Sequence, residues 1–359
     1  VEFRELQRAR ARVGRREAQQ QVVFAAVRLY LQQLKLEQTL SVLDRSIDAV
    51  REQAEQARLF FEQGLVTENE ALVAEASLAQ REQERRETET AQLSTRFALN
   101  QLIGVEVERE TRLRPLPVEA LSIPDLADVI DPAEAVRLAS AARPDLVGVG
   151  LDVESAQKGR WLAKLNLLPI FSAFATYSAT SESTAANSDV GLIGLQMSWD
   201  LFNPERYHEL RLADLEVGRQ SLLRAELERR IVAEVRTRYQ LVLDAEANVR
   251  TQAQRADQAT RNFEIQRARF RGIGDGNGAG ALVTNAEVLE AEALRTSAQA
   301  GLVNARYDQL LAWAELDLAT GTRLSQDLWA TLDASQQGPS ASSAASSNAS
   351  NSPATPEGR

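Results

Sequence analysis

The chain has 359 residues and a formal net charge of −10, with 41 Lys and Arg against 51 Asp and Glu, which excludes a nucleic-acid binder that needs concentrated positive charge. With no cysteine, one histidine and one methionine, it has no disulfide framework, no thiolate metal site and little imidazole chemistry. Aromatic residues are only 5%, and Ala, Leu, Glu, Gln and Arg dominate, a composition of long helices more than of compact cores.

The first element runs from Glu2 to Glu62 without a proline and with one glycine, Gly14. At a rise of about 1.5 Å per residue such a helix extends roughly 90 Å. That length predicts a coiled coil or a helical barrel. Leu40, Leu43, Ile47, Val50, Ala54, Ala57 and Phe61 step alternately by three and four, a heptad seam. Gly64 breaks the helix and Thr67, a good N-cap, starts the next, so Gly64-Leu65-Val66-Thr67 is a hairpin tip. The returning arm, Glu68 to Ile103, closes at Gly104, and its polar run Gln80–Thr90 is most simply a solvated face.

Residues 105–142 carry Pro115, Pro117, Pro124 and Pro132 and predict an irregular belt with short helices. Arg143-Pro144-Asp145-Leu146 opens a further helix, with Pro144 in its first turn, leading through 143–168 into the strand region. Two β-like stretches follow within 169–203, Pro169–Ala179 and Val190–Phe202. In the second, Ile193, Leu195, Met197, Trp199 and Leu201 alternate with Gly194, Gln196, Ser198 and Asp200. Apolar residues on one face and polar ones on the other suit a membrane-barrel strand, with Tyr177, Trp199 and Phe202 as rim aromatics; a soluble sandwich permits the same alternation. No apolar run approaches the roughly 20 residues of a membrane helix, so any membrane segment here is a strand.

Residues 204–321 form a second long hairpin: Glu205 to Arg271 again lacks proline, and Asn285 to Thr320 returns to Gly321. Its tip carries Gly272-Ile273-Gly274-Asp275-Gly276-Asn277-Gly278-Ala279-Gly280, then Ala281-Leu282-Val283-Thr284. That glycine run lacks the strand and lysine of a phosphate loop and is expected to be a flexible insertion that modifies docking. Residues 322–334 are expected to form an equatorial C-terminal segment, and the Ser/Ala/Asn/Pro-rich 335–359 a disordered tail.

The two hairpins are copies. Leu65-Val66-Thr67 recurs as Leu282-Val283-Thr284, and Glu70, Leu72, Ala74, Glu75 and Ala76 recur as Glu287, Leu289, Ala291, Glu292 and Ala293, in a register that holds to Gly104 and Gly321. Upstream, Tyr30 and Phe61 match Tyr239 and Phe270 in a second register, the difference being absorbed by the glycine run. Constant-register repetition marks a duplicated structural unit.

In the order and spacing of the Leu-Val-Thr tips, the Arg143-Pro144-Asp145-Leu146 helix start, the strand entering Ser198-Trp199-Asp200-Leu201-Phe202 and the closing Gly104 and Gly321, residues 1–322 resemble the TolC-like outer-membrane efflux proteins. The resemblance implies a mainly α fold with a small β part: duplicated helical hairpins forming a periplasmic helical barrel, and a β-hairpin contributing to a trimeric outer-membrane β-barrel. It implies a homotrimer in the Gram-negative outer membrane, mostly periplasmic, without cofactor or catalysis. Its partners would be outer-membrane lipid, a periplasmic adaptor (membrane fusion) protein and an inner-membrane pump. The function implied is the duct of a tripartite efflux or type I secretion system. The tips Gly64, Leu65, Val66 and Thr67 and Gly280, Ala281, Leu282, Val283 and Thr284 would dock the adaptor. Glu70, Glu287 and Glu290 would line the periplasmic entrance, although early-turn glutamates also complement a helix dipole. The family carries two strand pairs per protomer and this chain shows one, and by the first register Val1 matches Leu210, just beyond the strand region. An export signal and a first β-hairpin are therefore expected to precede Val1. The alternative function is a soluble periplasmic coiled-coil protein, structural or adaptor-like.

Overall fold

A computed structural model describes residues 2–116, 123–180, 188–199, 202–271 and 283–322. The glycine run 272–280, the tip residues Gly280, Ala281 and Leu282, the strand-end residue Leu201 and the tail 335–359 lie outside the described residues. The elements are α1 (Glu2–Glu62), α2 (Glu68–Ile103), α3 (Leu126–Val129), α4 (Pro132–Ala142), α5 (Pro144–Leu165), β1 (Ile170–Thr180), β2 (Ser188–Ser198), α6 (Pro204–Arg271) and α7 (Asn285–Thr320). Among the described residues the fold is mainly helical with one two-stranded antiparallel sheet. Among the described residues no helix is long and apolar enough to cross a membrane.

Glycines end the helices where their punctuation predicts. After α1, Gly64 adopts φ 72°, and the Leu65 N–H reaches the Phe60 carbonyl at 2.8 Å while the Gly64 N–H reaches Phe61 at 2.9 Å. After α2, Gly104 at φ 74° repeats the pattern, with Val105 bonded to Asn100 at 3.0 Å. These paired bonds satisfy carbonyls that a helix end leaves open, and the left-handed conformation suits glycine alone among unstrained residues.

The chain forms two compact units. One comprises residues 1–18 with 143–232, the other 19–142 with the remainder. In the first, Arg10 of α1 bonds both carboxylate oxygens of Asp152 on α5 at 3.2 Å, its guanidinium lying over Gly148. A Cβ at Gly148 would stand 2.7 Å from that guanidinium. Arg160 of α5 pairs with Asp214 of α6 at 2.5 Å.

In the second unit α1, α2, α6 and α7 pack around Leu31, Leu34, Val50, Ala57, Phe263 and Leu310, all buried. The α1 seam is buried at Leu43, Ile47, Val50, Ala54 and Ala57, partly buried at Leu40, and exposed at its last position. Phe61 is 42% exposed whereas its repeat counterpart Phe270 is 1% exposed, and it is Phe60 whose ring packs on Phe270 at 5.6 Å. At the end of the helix it is thus Phe60, one residue before the assigned seam position, that faces the bundle. The run Gln80–Thr90 is a solvated face, with Arg85 paired to Asp44 at 2.7 Å and Arg51 to Glu82 at 3.6 Å. The belt is pinned by buried polar groups: Tyr239 donates to the Ile130 carbonyl at 3.1 Å, and Glu246 accepts from the Leu126 N–H at 3.0 Å.

Candidate functional site: the strand hairpin and the helical tips

The β1–β2 register pairs Phe171 with Met197, Ala173 with Leu195, Ala175 with Ile193 and Tyr177 with Gly191. Directly opposed residues share a face, so these eight form one surface and Ile170, Ser172, Phe174, Thr176, Leu192, Gly194 and Gln196 lie on the other, which is mixed in polarity. The first surface is apolar and open: Ile193 is 87% exposed and Leu195 89%. On this mixed side the Phe174 ring lies over Gly194, where a Cβ would come within 2.6 Å of it. Among the described residues each strand has one unpaired edge, because the sheet there contains only β1 and β2.

Trp199 departs from the sequence expectation. β2 ends at Ser198, and the Trp199 indole N–H donates to the Leu167 carbonyl at 3.1 Å. Arg206 likewise donates to the Asn166 carbonyl at 2.6 Å. Both side chains tie the foot of the hairpin to the frayed end of α5, whose last carbonyls need donors. Trp199 therefore lies just past the end of β2 and joins this junction through its indole N–H.

At the tips the same Thr-x-x-Glu motif is used in two ways. Thr284 caps α7: its hydroxyl accepts from the Glu287 N–H, and the Glu287 carboxylate accepts from the Thr284 N–H, a complete capping box. Thr67 stands at the N-cap of α2 without a side-chain cap bond. Glu70, the residue that would complete its box, instead turns its carboxylate to the Asn285 N–H at 3.4 Å, so a carboxylate from one hairpin meets the positive end of a helix in the other. Asn285, fully buried, donates to the Glu70 carbonyl at 2.9 Å and accepts from Gln53 at 2.6 Å. Glu287 and Glu290 are exposed, Leu65 is half exposed, and Val283 packs against the Phe263–Phe270 cluster.

Asn285 joins α1, α2 and α7, yet sequence reasoning did not single it out. Its counterpart by register is Glu68, and that asymmetry between copies was the available signal. Deeper in the bundle Glu292 is buried and paired with Arg295 at 2.7 Å, Thr296 bonds both Glu292 and Ser46, and Arg295 stacks 4.0 Å above the Phe263 ring. Glu52 holds both Arg267 and Arg271 of α6. Thr296–Ser46 links the two hairpins from inside, and the Glu52 pairs link them at the surface.

Comparison with curated proteins gives no match. Among solved structures, the chain superposes on the outer membrane protein VceC of Vibrio cholerae with TM-score 0.75 at 19% identity, over 88% of this chain and 73% of that one. The CmeC outer membrane channel of Campylobacter jejuni gives TM-score 0.72 at 15% identity, over 92% and 70%. The open-state MtrE outer membrane channel of Neisseria gonorrhoeae gives 0.71 at 15%, over 88% and 69%. At such identities the likeness speaks for a shared fold. The family model described as outer membrane efflux protein matches residues 135–322, from α4 through the strand hairpin to the end of α7. Because that match spans just over half of the chain and includes the β-hairpin, the chain belongs to the outer membrane efflux protein family.

Proposed function

We propose that this chain is the outer-membrane duct of a tripartite efflux or type I secretion system, a passive channel and not an enzyme. The observation that carries this is the strand hairpin. A two-stranded sheet with open edges and a face as exposed as Ile193 and Leu195 is marginal in water. In a bilayer its unpaired edges must be closed by further strands, and a barrel shared among copies of the chain supplies them. Lipid would then cover Ile193, Leu195 and Met197, with Gln196 and Gly194 toward the lumen, the pattern of membrane barrels.

The helical tips supply the opposite end. Leu65 and the turns at Gly64 and Thr284 present short apolar and capping groups suited to a helical adaptor, itself bound to an inner-membrane pump. Glu290, exposed two turns into α7, would repeat around a three-fold axis, and a ring of carboxylates favours cations. Glu70 fits an entrance role less well, since its carboxylate is already engaged at Asn285.

The test is a charge on the apolar face. Leu195→Lys should block outer-membrane assembly, at roughly 2–4 kcal/mol for a midplane lysine. Gln196→Lys, on the other face, should assemble. Normal assembly of Leu195→Lys would favour a soluble coiled coil.

A further inference from the structure

The two copies of the helical hairpin bury different faces. Within the chain α1 and α7 pack together. Leu31 and Leu34 of α1 cluster with Val303, Tyr307 and Leu310 of α7, and Lys35 pairs with Asp308 at 3.3 Å. Nearer the tip the Ser46 and Thr296 hydroxyls meet at 2.9 Å and Val50 packs with Leu289, so the two helices run antiparallel. The upstream register carries this face of α1 onto Gln240, Leu243, Asp244, Arg255 and Ala259 of α6. The downstream register carries the face of α7 onto Leu72, Glu75, Ala79, Arg86 and Leu93 of α2.

The equivalent faces are open. Leu72 is 55% exposed against 8% for Leu289, and Leu93 and Phe97 are exposed where Leu310 and Ala314 are buried. Gln240 and Arg255 are exposed where Leu31 and Ser46 are buried. Glu75, Arg86 and Arg255 are exposed as well, and without an ion-pair partner among the described residues. α2 and α6 thus present, separately, the two halves of a contact that α7 and α1 make with each other.

We infer that α6 of one copy of this chain docks on α2 of the next, repeating between copies the contact that α1 makes with α7 within one. Size and charge both support the match. The touching pair Ser46 and Thr296 is replaced by a large residue, Arg255, and a smaller one, Ala79. Glu75 stands one turn from Ala79, which sets it beside Arg255 of the neighbouring copy. Farther from the tip Arg86, in the place of Val303, comes level with Asp244, in the place of Lys35. Each charged pair on a helix is spaced by eleven residues, about three turns, and so lies on one face. Away from the tip the signs run acid then base on α2 and base then acid on α6, so antiparallel docking opposes unlike charges. Each copy uses a different surface toward each neighbour, and such a heterologous contact closes as a ring. The inference rests on the barrel shared among copies and names the helices that bring the copies together.

Because the chain has no cysteine, disulfide formation reads the contact directly. Ala79→Cys combined with Arg255→Cys, the positions equivalent to Thr296 and Ser46, should on oxidation of the purified full chain link copies into species larger than dimers. Neither single variant should do so, since the two surfaces differ. Ser46→Cys with Thr296→Cys should close within one chain and leave its mass unchanged. Light scattering of the unaltered chain separates the two ways to fail. An oligomeric chain whose double variant forms no interchain disulfide overturns the docking and leaves the shared barrel standing; a monomeric chain overturns both. Glu75→Arg should lower the temperature at which the oligomer dissociates, and adding Arg255→Glu should restore it. Failure of the reciprocal swap to restore it, in folded variants, would also overturn the inference.

Discussion

Single residues decide how the two hairpins hold each other. Asn285 offers the sharpest case: it is buried and bonded to Gln53 and to the Glu70 carbonyl. Asn285→Ala should cost about 1–3 kcal/mol, because it leaves a buried amide and carbonyl unpaired. Denaturant unfolding measures the cost, and hydrogen exchange should place it in the first turns of α7. Glu246 supplies a pH signature. Burial, aided by Asp125, raises its pKa above the ordinary glutamate range, while the Leu126 N–H and Arg250 pull the other way. Its folded value thus lies above its unfolded one, so its contribution to stability is full below the unfolded pKa and is lost as pH rises through the folded value. Glu246→Gln keeps an acceptor for Leu126, and it should flatten stability across that window and match or exceed the unaltered chain at neutral pH. A variant less stable than the unaltered chain at neutral pH would contradict this. Neither role was visible in sequence: period and composition identify which face of a helix is buried, not which partner a buried polar group meets.

At the scale of elements, the punctuation was legible. Gly64, Gly104 and Gly321 end helices in left-handed conformations, and Thr67 and Thr284 begin them, because glycine and threonine act through their own backbone preferences. What each cap does was not legible, since the identical Thr-x-x-Glu motif closes on itself at α7 and reaches across to a neighbour at α2. The two threonines should therefore behave differently. Thr284→Ala should cost about 0.5–2 kcal/mol, and Thr67→Ala much less, as compared by thermal unfolding. Equal losses would mean that the α2 cap forms in solution. The strand pattern was likewise readable as alternation, but its end was not: Trp199 continues the period yet bonds to the end of α5, a tertiary demand that overrides spacing. Phe60 and Phe61 show the same limit, since the residue that packs on Phe270 is one position before the one the heptad assigns.

At the scale of the whole molecule, duplication explains both the helical framework and its asymmetries. Equivalent positions carry Val242 and Trp313 in one copy and Gln33 and Arg96 in the other, and they differ in packing accordingly. If Glu290 forms a ring in a trimer, Glu290→Gln should reduce cation preference in single-channel recordings without changing conductance polarity; unchanged selectivity would remove it from the entrance. The central claim is that the β1–β2 face meets lipid. Because the chain has no cysteine, single cysteines can be placed along β2 without background. The direct measurement is spin-label accessibility at Ile193→Cys, Leu195→Cys and Met197→Cys against Gly194→Cys and Gln196→Cys in isolated outer membranes. The account predicts that the first three are reached by oxygen from the bilayer and the other two by a water-soluble paramagnetic reagent. Uniform access of the water-soluble reagent to all five would contradict it.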